Sequence, residues 1–155
     1  MQVLVDSHTV NAPAVLGQHI LRALAQKTVR ATGLRPNRIE FSVAYIDARR
    51  SRDANERYRR KHGPTDILSF PLHSSVRLRS PDGYHGEILL CPTVIRAHAR
   101  LHKRTVRAET TRLFVHGVLH LLGYDHQRTQ DHKKMLALER RILGVAMLAG
   151  DGELG

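Results

Sequence analysis

The chain has 155 residues, of which 41% are hydrophobic and 25% charged, a balance that predicts one folded domain over residues 1–155 and excludes a chain disordered by composition. Its 25 Lys and Arg outnumber 14 Asp and Glu, giving a net charge of +11, so a polyanion such as nucleic acid is the first partner to consider. The single cysteine, Cys91, excludes an internal disulfide, and the lack of a signal peptide or of an apolar run of ~20 residues predicts a cytoplasmic protein with no membrane partner.

The first half of the chain predicts alternating strands and helices. Leu16, Ile20 and Leu24 recur every four positions, as apolar residues do along one face of a helix. Between residues 39 and 45 apolar and polar side chains alternate, which is typical of a half-buried strand. The expected elements are a strand at 2–5, a helix at 14–30, a strand at 39–45, a helix at 48–60 with Asp47 as its N-cap, and a strand at 66–70.

The second half predicts one more strand and three helices. Residues 72–85 are polar and contain the turn sequence Pro81-Asp82-Gly83, so a loop is expected there. The order of elements predicts an α+β fold, in which a single mixed β-sheet of about four strands packs with about five helices. The expected elements are a strand at 87–91 and helices at 93–102, 106–122 and 131–143.

Three histidines at the end of the predicted 106–122 helix indicate a metal site. His116 and His120 are four residues apart and therefore share a helix face, and Gly123 lets the chain turn so that His126 can join them. Three imidazoles suit a catalytic zinc site, in which a fourth position stays open for water or substrate. The helix is apolar almost all round, which predicts that it is buried and holds its ligands rigidly. The sequence thus predicts one Zn²⁺ per chain, on a buried helix and the loop after it.

The histidine spacing is also that of the zinc-binding helix of metzincin proteases. Those enzymes carry a glutamate general base directly after the first histidine, whereas this chain has Gly117 there. Peptide hydrolysis by that route therefore lacks its proton acceptor.

The chain contains, in this order, Asn55 with Tyr58-Arg59, PTDILSFP at 64–71, GEILLC at 86–91 and HGVLHLLGYDH at 116–126. These blocks resemble, in the same order, those of the YbeY family of bacterial endoribonucleases. The chain departs from the family's usual pattern at Glu87 and at His62, where Asp is common in both cases.

The resemblance implies a metal-dependent endoribonuclease that acts on single-stranded regions of ribosomal RNA. It implies roles in 3′-end maturation of 16S rRNA and in ribosome quality control, with the small ribosomal subunit and its proteins as partners. It places zinc on His116, His120 and His126, and it implies that Arg59 and His116 are needed for activity. The zinc could activate water or bind a phosphate oxygen while the RNA 2′-OH attacks, and a guanidinium at Arg59 suits a phosphate clamp.

The remaining roles are less sharply indicated. Asp125, Asp66 and Glu87 are candidates for proton transfer, with a ligand-orienting role for Asp125 as an alternative. The basic residues span several predicted elements, which suits contact with a phosphate backbone, while aromatics make up only 5% and base stacking is not expected to be prominent. The eight other histidines are expected at the surface, among them His73 and His85.

Two alternatives to a ribonuclease remain open from the sequence. One is a metal-dependent hydrolase of another substrate, with a metzincin-like site but without the glutamate base. The other is a non-catalytic ribosome-assembly factor whose zinc is structural.

Overall fold

A computed structural model of the protein describes residues 1–72, 82–124 and 129–144. The chain order of strands and helices predicted from the sequence is confirmed. The elements are β1 (Gln2–Val10), α1 (Gln18–Ala31), β2 (Arg38–Ile46), α2 (Ala48–Arg59), β3 (Ile67–Pro71), β4 (Gly83–Leu90), α3 (Pro92–Leu101), α4 (Val106–Leu121) and α5 (Thr129–Leu143).

The four strands form one mixed sheet in the order β1-β2-β4-β3, as the α+β prediction required. β1 and β4 both run parallel to β2, whereas β3 runs antiparallel to β4. β3 is therefore an edge strand that pairs only with β4 among the strands described. Its register sets Ser69 opposite Ile88 and Phe70 opposite Glu87, so these two pairs point to opposite faces of the sheet.

α4 lies against the sheet face that carries the main core. It contacts β3 and β4, and it also packs against α1, α3 and α5, which explains why its sequence is apolar almost all round. The predicted burial of this helix is confirmed. Its fully buried residues include Phe114, Val115, Val118 and Leu119.

Three element boundaries differ from the sequence prediction. β1 continues to Val10 because its backbone pairs with β2 as far as Ile46, although its outer residues do not alternate. β4 begins at Gly83 rather than at residue 87, because the end of the expected loop pairs with β2. α1 begins at Gln18 rather than at residue 14 for a separate reason.

The late start of α1 follows from a buried tyrosine. The Tyr45 hydroxyl accepts a hydrogen bond from the Leu16 backbone N–H at 3.0 Å and donates one to the Leu16 carbonyl at 2.9 Å. Burial raises the pKa of the Tyr45 hydroxyl, so the group keeps the proton that it donates. These two bonds hold the Leu16 backbone in place of intrahelical partners, and the helix begins after Gly17.

In the part of the chain that the structure describes, no helix combines the length and the apolar character needed to cross a bilayer. Cys91 is buried as a free thiol.

Candidate active site

α4 presents its two histidines from a firmly anchored helix. The Thr105 side chain caps its first turn by accepting a hydrogen bond from the Ala108 backbone N–H at 3.0 Å. The helix ends at Leu121, and Gly123 follows with a φ of 97°, a backbone conformation that glycine adopts readily. The chain turn predicted after the helix is therefore present at Gly123.

His116 and His120 share one face of α4, as their spacing predicts. Their Nε2 atoms lie 3.0 Å apart, and the ring centroids are separated by 4.7 Å. Two nitrogens bound to one tetrahedral zinc, each ~2.05 Å from it, lie about 3.3 Å apart. The two imidazoles thus fit a pair of adjacent zinc ligands, with only a small adjustment of their rings.

Glu139 on α5 fixes the orientation of His116. Its Oε1 atom lies 2.6 Å from His116 Nδ1, and the residue is only 7% exposed. A carboxylate at this position makes Nδ1 the protonated nitrogen, which leaves the Nε2 lone pair directed toward His120. This is the arrangement in which imidazole binds a metal through Nε2.

Glu139 is not among the site residues predicted from the sequence, although the spacing of residues in α5 indicates it. Met135, Glu139 and Ile142 are spaced four and three residues apart, and all three are buried. A carboxylate on the buried stripe of an amphipathic helix is costly unless it has a partner. That spacing could have indicated that Glu139 faces a cation or a histidine in the interior.

The structure explains why glycine follows the first histidine. A Cβ atom at Gly117 would lie 3.0 Å from Cδ1 of Ile67 and 3.0 Å from Cδ1 of Ile88, and 3.2 Å from the Ser69 Oγ. Position 117 therefore faces β3 and β4 at close range. A glutamate here would enter the helix–sheet interface, so the general base of metzincin proteases has no space at this position.

The matching residues between Asn55 and Pro71 join α2 to β3. Asp47 caps α2 as predicted, accepting from the Arg50 N–H at 2.9 Å. The Ser51 hydroxyl donates to the Thr65 carbonyl at 2.7 Å and accepts from the Thr65 N–H at 2.9 Å. Asn55 Nδ2 donates to the Gly63 carbonyl at 2.9 Å. These bonds fix the turn that leads from the end of α2 into β3.

Arg59 is the last residue of α2 and is exposed. Within the described ranges no carboxylate lies within ion-pair distance of its guanidinium, which is thus open to a ligand. The neighbouring Tyr58 packs its ring edge-on with Phe70 of β3, at a centroid distance of 5.2 Å. Phe70 follows Ser69, which contacts α4 beside His116. The end of α2 and the histidine helix are therefore held on the two sides of the same short strand.

The matching block at 86–91, which lies mainly on β4, packs against β3 and α4. Gly86, with a φ of 137°, lies so close to the Phe70 carbonyl that no Cβ could be placed there, and 3.1 Å would separate that Cβ from Leu121 Cδ2. Glu87 is half-buried opposite Phe70 in the β3–β4 ladder. The described residues of the blocks that resemble the family thus lie on the β3–β4 pair and on the two helices beside it, or in the residues that adjoin these elements.

The structure gives Asp66 a partner and corrects the expected position of His85. The Oδ2 atom of Asp66, a candidate for proton transfer, lies 3.0 Å from His98 Nδ1 of α3. His85, expected at the surface, is 2% exposed and packs against Phe41 at a ring distance of 5.9 Å. Its side chain points inward because β4 is irregular at this point. Tyr84 pairs with Glu40 and Glu87 pairs with Ser42, so two β4 residues, one of them His85, lie opposite a single residue of β2.

Three predicted residues lie outside the described ranges, namely His126, Asp125 and His73. Within those ranges no group of three or more His, Cys, Asp or Glu side chains could together hold a metal ion. Tyr124 is partly buried and packs against buried hydrophobic residues.

The opposite end of α4 is fixed by a buried carboxylate. Glu109 accepts hydrogen bonds from Arg104 at 2.9 Å and Arg112 at 2.8 Å. Burial alone would raise the pKa of Glu109, but the hydrogen bonds and charges of Arg112 and Arg104 outweigh it and hold that pKa below its usual value. Glu109 therefore stays ionised and joins α4 to the end of α3.

Comparison with known proteins identifies the family. A family model described as Endoribonuclease YbeY matches residues 6–146. The chain belongs to this family. A protein named Endoribonuclease YbeY from Beutenbergia cavernae is 33% identical over 143 residues, covering 90% of this chain and 94% of that protein. Another so named from Coxiella burnetii is 36% identical over 107 residues, covering 69% of each.

A solved structure supports the fold independently. The solution structure of a Thermotoga maritima protein aligns with a TM-score of 0.60 at 24% identity, covering 97% of this chain and 91% of that one. The chain therefore shares its overall fold with a structure determined in solution.

Proposed function

We propose that this protein is a zinc-dependent endoribonuclease of the cytoplasm that cleaves single-stranded ribosomal RNA, in 3′-end maturation of 16S rRNA and in ribosome quality control. The observation that carries the proposal is the pair of Nε2 atoms of His116 and His120, 3.0 Å apart, on the helix that bears the family signature. Membership of the YbeY family favours this activity over a hydrolase of another substrate and over a non-catalytic assembly factor.

In this proposal one zinc ion per chain is held by His116, His120 and His126. When bound, the ion supplies either a hydroxide at neutral pH or a Lewis acid for a phosphate oxygen. Glu139 keeps the His116 proton on Nδ1 and so keeps the Nε2 lone pair available. The half-buried positions of both histidines leave room for a substrate oxygen to approach.

Arg59 is proposed to bind the phosphate group that is cleaved. A guanidinium fork donates two parallel hydrogen bonds to phosphate oxygens and stays charged at any physiological pH. Arg59 is exposed, and its neighbour Tyr58 contacts Phe70 of β3, the strand whose Ser69 lies against α4. Charge that develops on the phosphate oxygens in the transition state is thereby neutralised.

Gly117 also supports a nuclease over a peptidase. Because the position after His116 is closed by Ile67 and Ile88, the helix supplies no carboxylate base there. RNA contains an internal nucleophile, the 2′-OH. Its cleavage by that route does not require the protein to activate a water molecule for attack, as peptide hydrolysis does.

The decisive experiment is cleavage of a single-stranded ribosomal RNA fragment by the purified protein, with and without a chelator. We expect the chelator to abolish cleavage and added zinc to restore it. His116→Ala should also abolish cleavage, and Arg59→Ala should slow it by about 10²–10³-fold, as loss of a transition-state charge partner does in other enzymes. Arg59→Lys should cleave at a rate between those of Arg59→Ala and the wild type.

The matched controls are Arg52→Ala, which removes another exposed arginine of α2, and His132→Ala, which removes an exposed histidine of α5. Both should cleave at the wild-type rate. Cleavage that survives the chelator, His116→Ala and Arg59→Ala would show that the activity comes from a contaminant. Elemental analysis should find one zinc per chain.

The ribosomal assignment has its own test. Small ribosomal subunits that carry an unprocessed 16S 3′ end should be trimmed at that end, whereas the same RNA segment annealed to its complement should resist. Equal cleavage of the paired and unpaired segments would contradict the single-strand preference.

A further inference from the structure

We propose that Tyr58 is a base-stacking site for single-stranded RNA, next to the phosphate-binding Arg59. The inference rests on the proposed function and names how the site holds the nucleotide that flanks the bound phosphate. Stacking on an aromatic ring is tolerant of base identity because every base has a π-face. The ligand is therefore an unpaired nucleobase within a polyanionic strand.

The first observation is the exposure of Tyr58. Large hydrophobic side chains are usually covered, yet this residue is 60% exposed at the end of α2. Of the four tyrosines in the chain, Tyr45 is fully buried and Tyr84 is less exposed, at 38%. Tyr58 is thus the most exposed of these three tyrosines, and its side chain is accessible to a ligand.

The second observation is that the ring is nevertheless held in place. Phe70 contacts it in an edge arrangement, with an interplanar angle of 72°, and the Arg57 guanidinium carbon lies 5.6 Å from its centroid. An aromatic ring fixed in this way loses little conformational entropy when a planar ligand stacks on it. Arg57 places a cation over one face of the ring, which favours a base that carries a phosphate.

The third observation is the charge around the ring, which selects the class of partner. Glu56 is the only acid between residues 56 and 62, a segment whose other charged residues are all basic and exposed. An uncharged peptide could contact the aromatic pair but gains nothing from this charge, so a polyanion is the better match, and a nucleic acid adds planar bases to it. The basic residues are Arg57, Arg59, Arg60 and Lys61.

The sequence alone does not predict a stacking site at Tyr58, because aromatic residues make up only 5% of the chain and one tyrosine does not indicate a stacking surface. The evidence for stacking comes from the structure, in which Tyr58 packs on Phe70, twelve positions further along the chain. Tyr58 and Arg59 are consecutive, so the stacked base and the clamped phosphate belong to the same or to adjacent nucleotides.

The test uses the absence of tryptophan from the chain. Tyr58→Trp introduces a single fluorescent reporter, whose emission is quenched when a base stacks on the indole. Leu101→Trp is the matched control, since Leu101 is 73% exposed on α3 between Arg100 and Lys103 and belongs to no aromatic pair. The probe is a 2′-O-methyl uridine decamer, which keeps bases and phosphates but has no attacking 2′-OH.

We expect the decamer to quench the fluorescence of Tyr58→Trp strongly and that of Leu101→Trp weakly. An abasic decamer of equal charge should bind Tyr58→Trp without quenching it, and an acidic peptide of equal charge should leave its emission unchanged. By anisotropy, Tyr58→Phe should bind the labelled decamer within about two-fold of wild type, whereas Tyr58→Leu should bind it at least about 5-fold more weakly. A thermal melt of each variant identifies any that is unfolded.

Unquenched emission from a Tyr58→Trp protein that binds the decamer normally would overturn the stacking site and leave the proposed function standing. Equal quenching by the acidic peptide would overturn it in favour of a protein partner. A wild-type protein that neither binds nor cleaves RNA would instead overturn the proposed function itself.

Discussion

The hydrogen bond between Glu139 and His116 yields the most specific prediction about metal binding. Removing a carboxylate that orients a histidine ligand typically weakens metal affinity by 10–100-fold, or about 1.4–2.7 kcal/mol. The bond is 2.6 Å long and Glu139 is almost fully buried, so water can replace it only poorly. We therefore expect Glu139→Ala to lie near the upper end of this range.

Glu139→Gln keeps the size of the side chain and an acceptor oxygen but removes the negative charge. We expect it to weaken zinc binding by about 10-fold, because a neutral acceptor holds the His116 Nδ1 proton less strongly. Both variants should be titrated with zinc in competition with a chromogenic chelator. The readout is the zinc dissociation constant, which does not depend on catalytic activity.

Glu109→Gln is the matched control, since it neutralises a second buried glutamate that binds two arginines and lies at the other end of α4. It should lower the melting temperature and leave zinc affinity within about two-fold of wild type. If Glu139→Ala folds and binds zinc as tightly as the native protein, Glu139 has no orienting role and the site must be organised in another way.

Three further predictions concern stability. Gly117→Ala should lose about 1 kcal/mol on chemical denaturation, because overpacking against Ile67 and Ile88 costs about 1–3 kcal/mol and better helix propensity returns about 1; a clear gain would show that the isoleucines move aside. Tyr45→Phe should lower the free energy of unfolding by about 1–3 kcal/mol, because the buried Leu16 backbone loses its two hydrogen bonds to the Tyr45 hydroxyl. An unchanged denaturation midpoint would contradict this. Glu109 has a pKa lower in the folded than in the unfolded chain, so its contribution is present above pH ~4.3 and is lost as the pH falls through the folded pKa; the stability gap to Glu109→Gln should shrink below that pH, and a constant gap would refute it.

The local features of the site could be predicted from the sequence. The four-residue spacing of His116 and His120 predicts a shared helix face because it reflects the helix period itself, and their Nε2 atoms do meet. Asp47 was recognised as an N-cap because capping depends on residues within one turn. The order of strands and helices followed from hydrophobic periodicity and turn residues, which are equally local signals.

Features that depend on contacts between distant elements could not be predicted. Glu139 is 23 residues from His116, and its partner is known only once α5 packs on α4. His85 is buried because a register shift in β4 turns it inward, and no local pattern marks such a shift. Tyr58 gains its meaning from Phe70 on a neighbouring strand. In each case tertiary packing decides the role of a residue whose type alone is ambiguous.

The close contact at Gly117 also limits how the sequence can change over evolution. Three side chains from β3 and β4 occupy the space next to the histidine helix, so position 117 and that hairpin share one volume. A larger residue at 117 would be accepted only together with smaller ones at Ile67 or Ile88. We therefore expect these positions to covary among related sequences. The distance between the histidines and the sheet then depends on the side chains of β3 and β4 as well as on α4.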